Sequence, residues 1–263
     1  MRDILQKIQV HVPFHLLREK LLPMVLQERI NPEIGIYHSH LDRFQPADFR
    51  DTAERLVEAG RSVTFHAPFM DLQPGALDPR IRQASLDRLR QVFDMVPWFR
   101  ARSVVCHPSF DERYYVGTEE QWLENSLDTW RTLLEYIRGT ETIIALENVY
   151  ERNPEPLKLL LREIALPQVR FCFDPGHANA FGAVPLAVWI ETLGDYLGEI
   201  HVHDNRGTAD EHLPVGEGNI PFSELFAIVR ERNLKPILTI EAHSEEDLRR
   251  ALDNLGTMEF RDL

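Results

Sequence analysis

The chain has 263 residues, 43% of them hydrophobic, which supplies a sizeable core and excludes a chain disordered by composition. Its formal net charge of −13, from 42 acidic residues against 29 Lys and Arg, argues against a broad basic footprint for nucleic acid and suits cations at any acidic cluster. The N-terminal MRDILQKIQVHV has no signal-peptide core and no apolar run is long enough to cross a membrane, so no membrane partner and a cytoplasmic setting are expected.

In chain order, Ile8–Pro13 (IQVHVP) reads as a strand and His15–Glu28 as a helix despite Pro23. Glu33–His38 (EIGIYH) is a second strand, followed by an amphipathic helix over Ala47–Ala59 that Gly60 stops. Ser62–His66 is a strand, Arg80–Phe99 a long helix and Ser103–His107 a strand. The second half repeats the theme: helix Thr118–Arg138, strand Thr142–Glu147, helix Glu155–Ile164, strand Val169–Phe173, helix Pro185–Leu193 and strand Glu199–His203. Helix Pro221–Glu231 opens with proline in its first turn, strand Pro236–Glu241 follows, and Ser244 caps a closing helix that runs to Leu255. Both cysteines, Cys106 and Cys172, lie in apolar runs and are expected as buried free thiols. Alternation turns Cys106 away from its neighbour His107.

Eight strands alternating with eight helices, without a linker or a break in composition, predict a single-domain α/β fold over residues 1–263, a (β/α)8 TIM barrel. Apolar strands without strict alternation suit a parallel sheet buried on both faces. An open doubly wound sheet is disfavoured, because no Gly-rich phosphate loop follows the first strand.

Six successive strands end on a metal-capable side chain: His66, His107, Glu147, Asp174, His201 and Glu241. In a barrel all these ends meet at one rim, and carboxylates gathered there cost several kcal/mol unless cations compensate them. Three more residues join them. His177 follows Asp174 in DPGH, a tight turn, and Asp210 and His212 sit two apart in TADEH, so that an extended loop projects both to one side. Asp210 and His212 belong to the polar stretch Gly198–Ile220, which also carries His203 and Asp204. Imidazole and carboxylate without a thiolate pattern favour zinc, manganese or iron over calcium.

The segments HAPF, CHPSF, ALENVY, FDPGHANAFG, EIHVHDNRG, DEHLPVGEGNI and LTIEAH, from about His66 to Glu241, resemble the xylose isomerase-like TIM-barrel superfamily. That group holds sugar and sugar-phosphate isomerases and epimerases and the endonuclease IV type of apurinic-site nuclease. The resemblance implies a single-metal set of Glu147, Asp174, His201 and Glu241. It matches His66, His107, His177, Asp210 and His212 to the further ligands of a three-zinc site, so one to three divalent ions, zinc or manganese, are expected.

Two activities follow from it. In the first, a metal-dependent isomerase or epimerase acts on a small sugar, sugar phosphate or related hydroxy-carbonyl compound. The metal stabilises an enediolate while Glu147 and Glu241 take and return a proton. His177, His203 and Arg206 are then candidates for hydroxyls or a phosphate; Arg206 equally suits an ion pair with Asp204 or Asp210. In the second, a zinc-dependent phosphodiester hydrolase bridges two metals through Glu147, with Phe69, Phe110 and Tyr114 available to stack on a base or sugar. Against it stand the acidic balance, short early loops, HDNRG in place of a lysine-containing segment, and HPSF in place of the nucleases' glycine-serine-histidine continuation. A non-catalytic barrel would have disrupted acid and histidine positions, and these are intact. The expected partner is a small molecule rather than nucleic acid; no feature of the sequence bears on oligomeric state.

Overall fold

The computed structural model describes residues 2–258. Its strands are β1 (Gln9–Pro13), β2 (Asn31–Gly35), β3 (Thr64–His66), β4 (Ser103–Cys106), β5 (Ile143–Glu147), β6 (Val169–Phe173), β7 (Leu197–Val202) and β8 (Ile237–Ile240). They pair in sequence order, all parallel, and β1 closes on β8, giving the expected closed barrel with helices between the strands. Period-two alternation divides each strand's side chains between two environments. Val104, Cys106, Leu146, Phe171 and Ile200 face the helices within the large apolar core. Val105, Ala145 and Cys172 form a small apolar plug inside the barrel, and both cysteines are free and buried.

A polar layer also lies inside the barrel. The Thr239 hydroxyl donates to Glu199 at 2.8 Å and lies 3.5 Å from Glu33, and Thr64 donates to Glu33 at 3.3 Å. Burial pushes the Glu199 carboxyl up to about 8, with Glu33 nearby adding to the shift. No helix among the described residues is long and apolar enough to cross a membrane.

Several element boundaries differ from the sequence reading, mostly at prolines. The helix expected over 15–28 starts at Phe14, widens to π geometry over Leu17–Leu21, and resumes as Leu22–Gln27. Pro23 lacks an N–H and its ring crowds the preceding turn, which a wider turn accommodates. The strand expected to reach His38 ends at Gly35, and His38–Arg43 is helical. The helix expected over 80–99 is two, Pro79–Phe93 and Val96–Phe99, because Pro97 cannot continue the first ladder. The helix expected to run to Arg138 ends at Leu134 in a 3-10 turn, Glu135–Ile137.

Candidate active site

The C-terminal strand ends carry their polar side chains to one mouth of the barrel. Glu147 closes β5, His66 closes β3 and His201 lies in β7; His107, Asp174 and Glu241 each follow their strand by one residue. The DPGH segment is the start of a helix, Pro175–Phe181, rather than a free turn. Asp174 is its N-cap and accepts from the His177 N–H at 2.8 Å, so the helix start aims both groups at the mouth. Asn148 locks this corner: its side chain donates to the Asp174 carbonyl at 2.8 Å and accepts from the Asp174 N–H at 2.9 Å.

The polar loop after β7 is organised by Asp204, whose buried carboxylate accepts from the N–H groups of Asn205, Gly216 and Ile220 at 2.9, 2.9 and 3.1 Å. Asp204 also bridges Leu213 through the backbone. Asp210 and His212 do come together, at 3.0 Å, but not through extended chain, because His212 has a left-handed backbone with φ of 51°. Such a conformation is uncommon for a non-glycine residue and concentrates at functional sites.

The predicted residues converge in three overlapping groups. Around His201, Nδ1 lies 3.2 Å from Glu147 Oε1, 3.7 Å from Asp174 Oδ2 and 3.5 Å from Glu241 Oε1. Glu147 Oε2 lies 3.2 Å from His66 Nε2 and 2.9 Å from His107 Nε2. Asp210 Oδ2 lies 3.3 Å from His177 Nε2 and 3.0 Å from His212 Nε2. Ligand atoms about 2.0–2.2 Å from a shared ion stand roughly 3–3.5 Å apart, which most of these separations approach.

The donor set passes a stricter test. Buried polar atoms are normally hydrogen-bonded. Among the described residues, His107 Nε2, both ring nitrogens of His201, His203 Nδ1, His212 Nδ1 and Asp210 Oδ1 are buried without a hydrogen-bond partner. Imidazole nitrogens facing carboxylates without forming aligned hydrogen bonds are what a cation between them requires. The residues therefore fit one or more divalent ions held by imidazole and carboxylate.

Electrostatics agree. Burial opposes ionisation of Glu147, yet the His201 and His107 rings hold its carboxyl well below the usual range. Burial opposes charge on His66, yet Glu147 raises its ring to about 9. His212 stands at about 8, where burial is outweighed by the Asp210 carboxylate.

Two residues missed by the sequence reading join the site. His11, on β1, lies 3.2 Å from Glu33 Oε1 and 3.7 Å from Glu241 Oε1. Glu33, on β2, stands behind His201, with Oε1 at 3.7 Å from Nε2, the nitrogen opposite the one facing the other carboxylates. His11 lies in the middle of β1 and Glu33 in the middle of β2, where they pair in register, so neither marks a strand end as the other site residues do.

The candidate substrate residues divide. Phe69 lines the mouth and stacks on His107 with ring centroids 4.5 Å apart; His177 lines it too. His203 sits deeper, 2.9 Å from Asp174 and stacked on His212, among the ligand side chains rather than on the cavity wall. Arg206 takes the ion-pair alternative, with a different partner from the expected Asp204 or Asp210. It is exposed, bonded to Glu211 at 2.6 Å through its guanidinium and 2.8 Å through its N–H, and does not line the cavity. Glu211, one residue from Asp210, takes it because the turn that aims Asp210 inward leaves Glu211 beside Arg206.

With this geometry in hand, comparison with known proteins places the chain. Residues 32–258 match the model of the xylose isomerase-like TIM barrel family, and the chain belongs to that family. Fructoselysine 3-epimerase of Escherichia coli O157:H7 is 24% identical over 181 residues, 62% of this chain and 61% of the relative. A probable endonuclease 4 of Mycoplasma pneumoniae is 23% identical over 201 residues, 70% of this chain and 69% of the relative. The chain thus spans about two thirds of the length of such curated relatives, as it does for an uncharacterized protein of Methanocaldococcus jannaschii, of which 66% is covered at 29% identity over 70% of this chain. Among solved structures, a D-tagatose 3-epimerase-like protein superposes with a TM-score of 0.82 at 24% identity, over 95% of this chain and 97% of that one, a likeness of fold.

Proposed function

We propose, from this family membership, that the protein is a metal-dependent isomerase or epimerase of a small sugar or related hydroxy-carbonyl compound. The observation that carries the reading is the convergence of Glu147, Asp174 and Glu241 on one nitrogen of His201, at 3.2, 3.7 and 3.5 Å. A divalent ion held by these four residues supplies Lewis-acid polarisation of a carbonyl and its neighbouring hydroxyl. The remaining work falls to the chain. Glu147 and Glu241 come from different strand ends, and each turns Oε1 to His201 while its second oxygen faces other rings, His66 and His107 for Glu147 and His212 for Glu241. A carboxylate so divided can serve as ligand and still exchange a proton. One takes the proton from the carbon beside the carbonyl and the other returns it, at the same carbon for epimerisation or the adjacent one for isomerisation. Against the cost of burial, neighbouring histidines, His201 foremost, lower both carboxyls below their ordinary range, which keeps each ionised at neutral pH. The curated epimerase relative supports the same class of reaction.

The test is proton exchange. Protein loaded with manganese or zinc and incubated with ketohexoses in D2O should incorporate deuterium beside the carbonyl, and chelation or Glu147→Gln should stop it. A metal-loaded protein that exchanges no such proton across a ketose panel would sink the reading.

A second reading, zinc-dependent phosphodiester hydrolysis, is favoured by one observation. The Glu147 and Asp210 carboxylates each face two histidines, as ligands of further ions would. Three zincs per chain with cleavage of bis(p-nitrophenyl) phosphate or an abasic-site duplex would put it ahead; one ion and intact phosphodiesters would set it aside.

A further inference from the structure

Above the polar floor, the mouth opens into a cavity of about 1140 Å³. Pockets of about 300–1,000 Å³ suffice for drug-sized ligands, so a lone monosaccharide would leave most of this one to water. The upper wall is apolar and aromatic, with Leu16, Met70, Tyr114 and Tyr150 beside Phe69 and Phe181. Met70, Tyr114 and Tyr150 are 65%, 75% and 50% exposed, and Leu16 is 39% exposed. Exposed apolar side chains gathered on one concave wall mark a surface that an occupant covers.

The charges of the wall narrow the occupant further. Apart from the floor carboxylates Glu147, Asp210 and Glu241, its described lining residues include Asp71, Asp111 and Glu245 and a single lysine, Lys20, with no arginine. Phosphate recognition draws on arginine forks, lysines or a helix N-terminus. The helix Glu245–Thr257 does begin at the wall, but its first turn carries Glu245, Glu246 and Asp247, which repel an anion.

We propose that the substrate is a carbohydrate bearing an uncharged apolar or aromatic substituent, its sugar part on the metal-binding floor and its substituent against the aromatic wall. This rests on the carbonyl-sugar reading above and specifies its substrate class; the wall's Asp71, Asp111 and Glu245 against the single Lys20 favour an uncharged substituent over a phosphate.

Isothermal calorimetry on the manganese-loaded chain, repeated with zinc, tests it with three probes: D-fructose, D-fructose 1-phosphate and 1-O-benzyl-D-fructose. The benzyl ether should bind at least tenfold more tightly than either other probe. Met70→Ser and Tyr150→Ser should narrow that preference at least fivefold, with thermal unfolding as a check on folding. Equal affinity for the benzyl ether and D-fructose, tightest binding of the phosphate, or a preference untouched in both variants would overturn the proposal. Because binding is read apart from turnover, the two readings fail separately. A tightly bound benzyl ether showing no proton exchange removes the isomerase reading alone, and exchange on D-fructose without benzyl preference removes the substrate class alone.

Discussion

The backbone carbonyl of Asn148 accepts the Nδ1 proton of His177 at 2.9 Å. A carbonyl only accepts, so this contact fixes where the proton lies on the neutral ring and leaves the Nε2 lone pair facing Asp210, 3.3 Å away. His66 is set the same way, with Nδ1 at 3.0 Å from the Ala67 carbonyl and Nε2 toward Glu147. Backbone carbonyls thus turn the Nε2 of both rings toward the mouth carboxylates. His177→Ala should load one equivalent of metal fewer than the unaltered protein while keeping the ion at His201, as read by elemental analysis after gel filtration. Unchanged metal content would remove His177 from the ligand set.

Glu147→Gln and Glu241→Gln keep the shape of the site and remove the proton acceptor. Each should lower kcat by about 10²–10⁴-fold, the range for a lost general acid or base, with thermal stability retained. Full activity in either variant would count against its role in proton transfer.

Glu33→Gln tests the carboxylate behind His201. A carboxylate on the far nitrogen orients a metal-binding imidazole, and its loss typically costs about 10–100-fold in metal affinity. Chelator competition should show that fall, and Glu33→Asp should restore part of it. An unaltered metal affinity in Glu33→Gln would show that the 3.7 Å contact has no orienting effect.

Metal uptake should depend on pH with a definite sign. Burial disfavours charge on His66 and His212, but neighbouring carboxylates raise the rings to about 9 and about 8. In the metal-free protein, the stability these imidazolium–carboxylate contacts contribute is complete below the ordinary imidazole value near 6.5. It is lost as pH rises through about 8 to 9. Metal requires the neutral ring, so protons compete and apparent affinity should climb between about pH 6.5 and 9. Chelator competition across that interval, with proton release followed by a pH indicator, would expose the opposite trend if ligation does not involve these histidines.

The barrel and most of its rim were legible in the sequence because each informative residue breaks an apolar run. Glu147 closing IIALE and His107 after SVVC have few places to go except inward. Glu33 was not legible, because it starts its apolar run and only pairing with Thr64 sets it inside. Arg206 misled because its distance in sequence from Asp204 and Asp210 says nothing of the turn that gives it Glu211 instead. The helix at Pro175–Phe181 hid behind a Pro-Gly pair that reads as a turn, yet proline is at home in a first helical turn and Gly176 is needed for clearance. A Cβ there would lie 2.1 Å from the His203 ring.

Glu147 turns one oxygen to His201 and His177 and the other to His66 and His107. A carboxylate shared in this way cannot report on two ions independently. A first cation held there would draw charge toward its own oxygen, so a second would meet a weaker partner and a positive neighbour. Were two ions held there, loading would be anticooperative: the site would fill stepwise, and scarce metal would leave a mononuclear state distinct from the fully charged one.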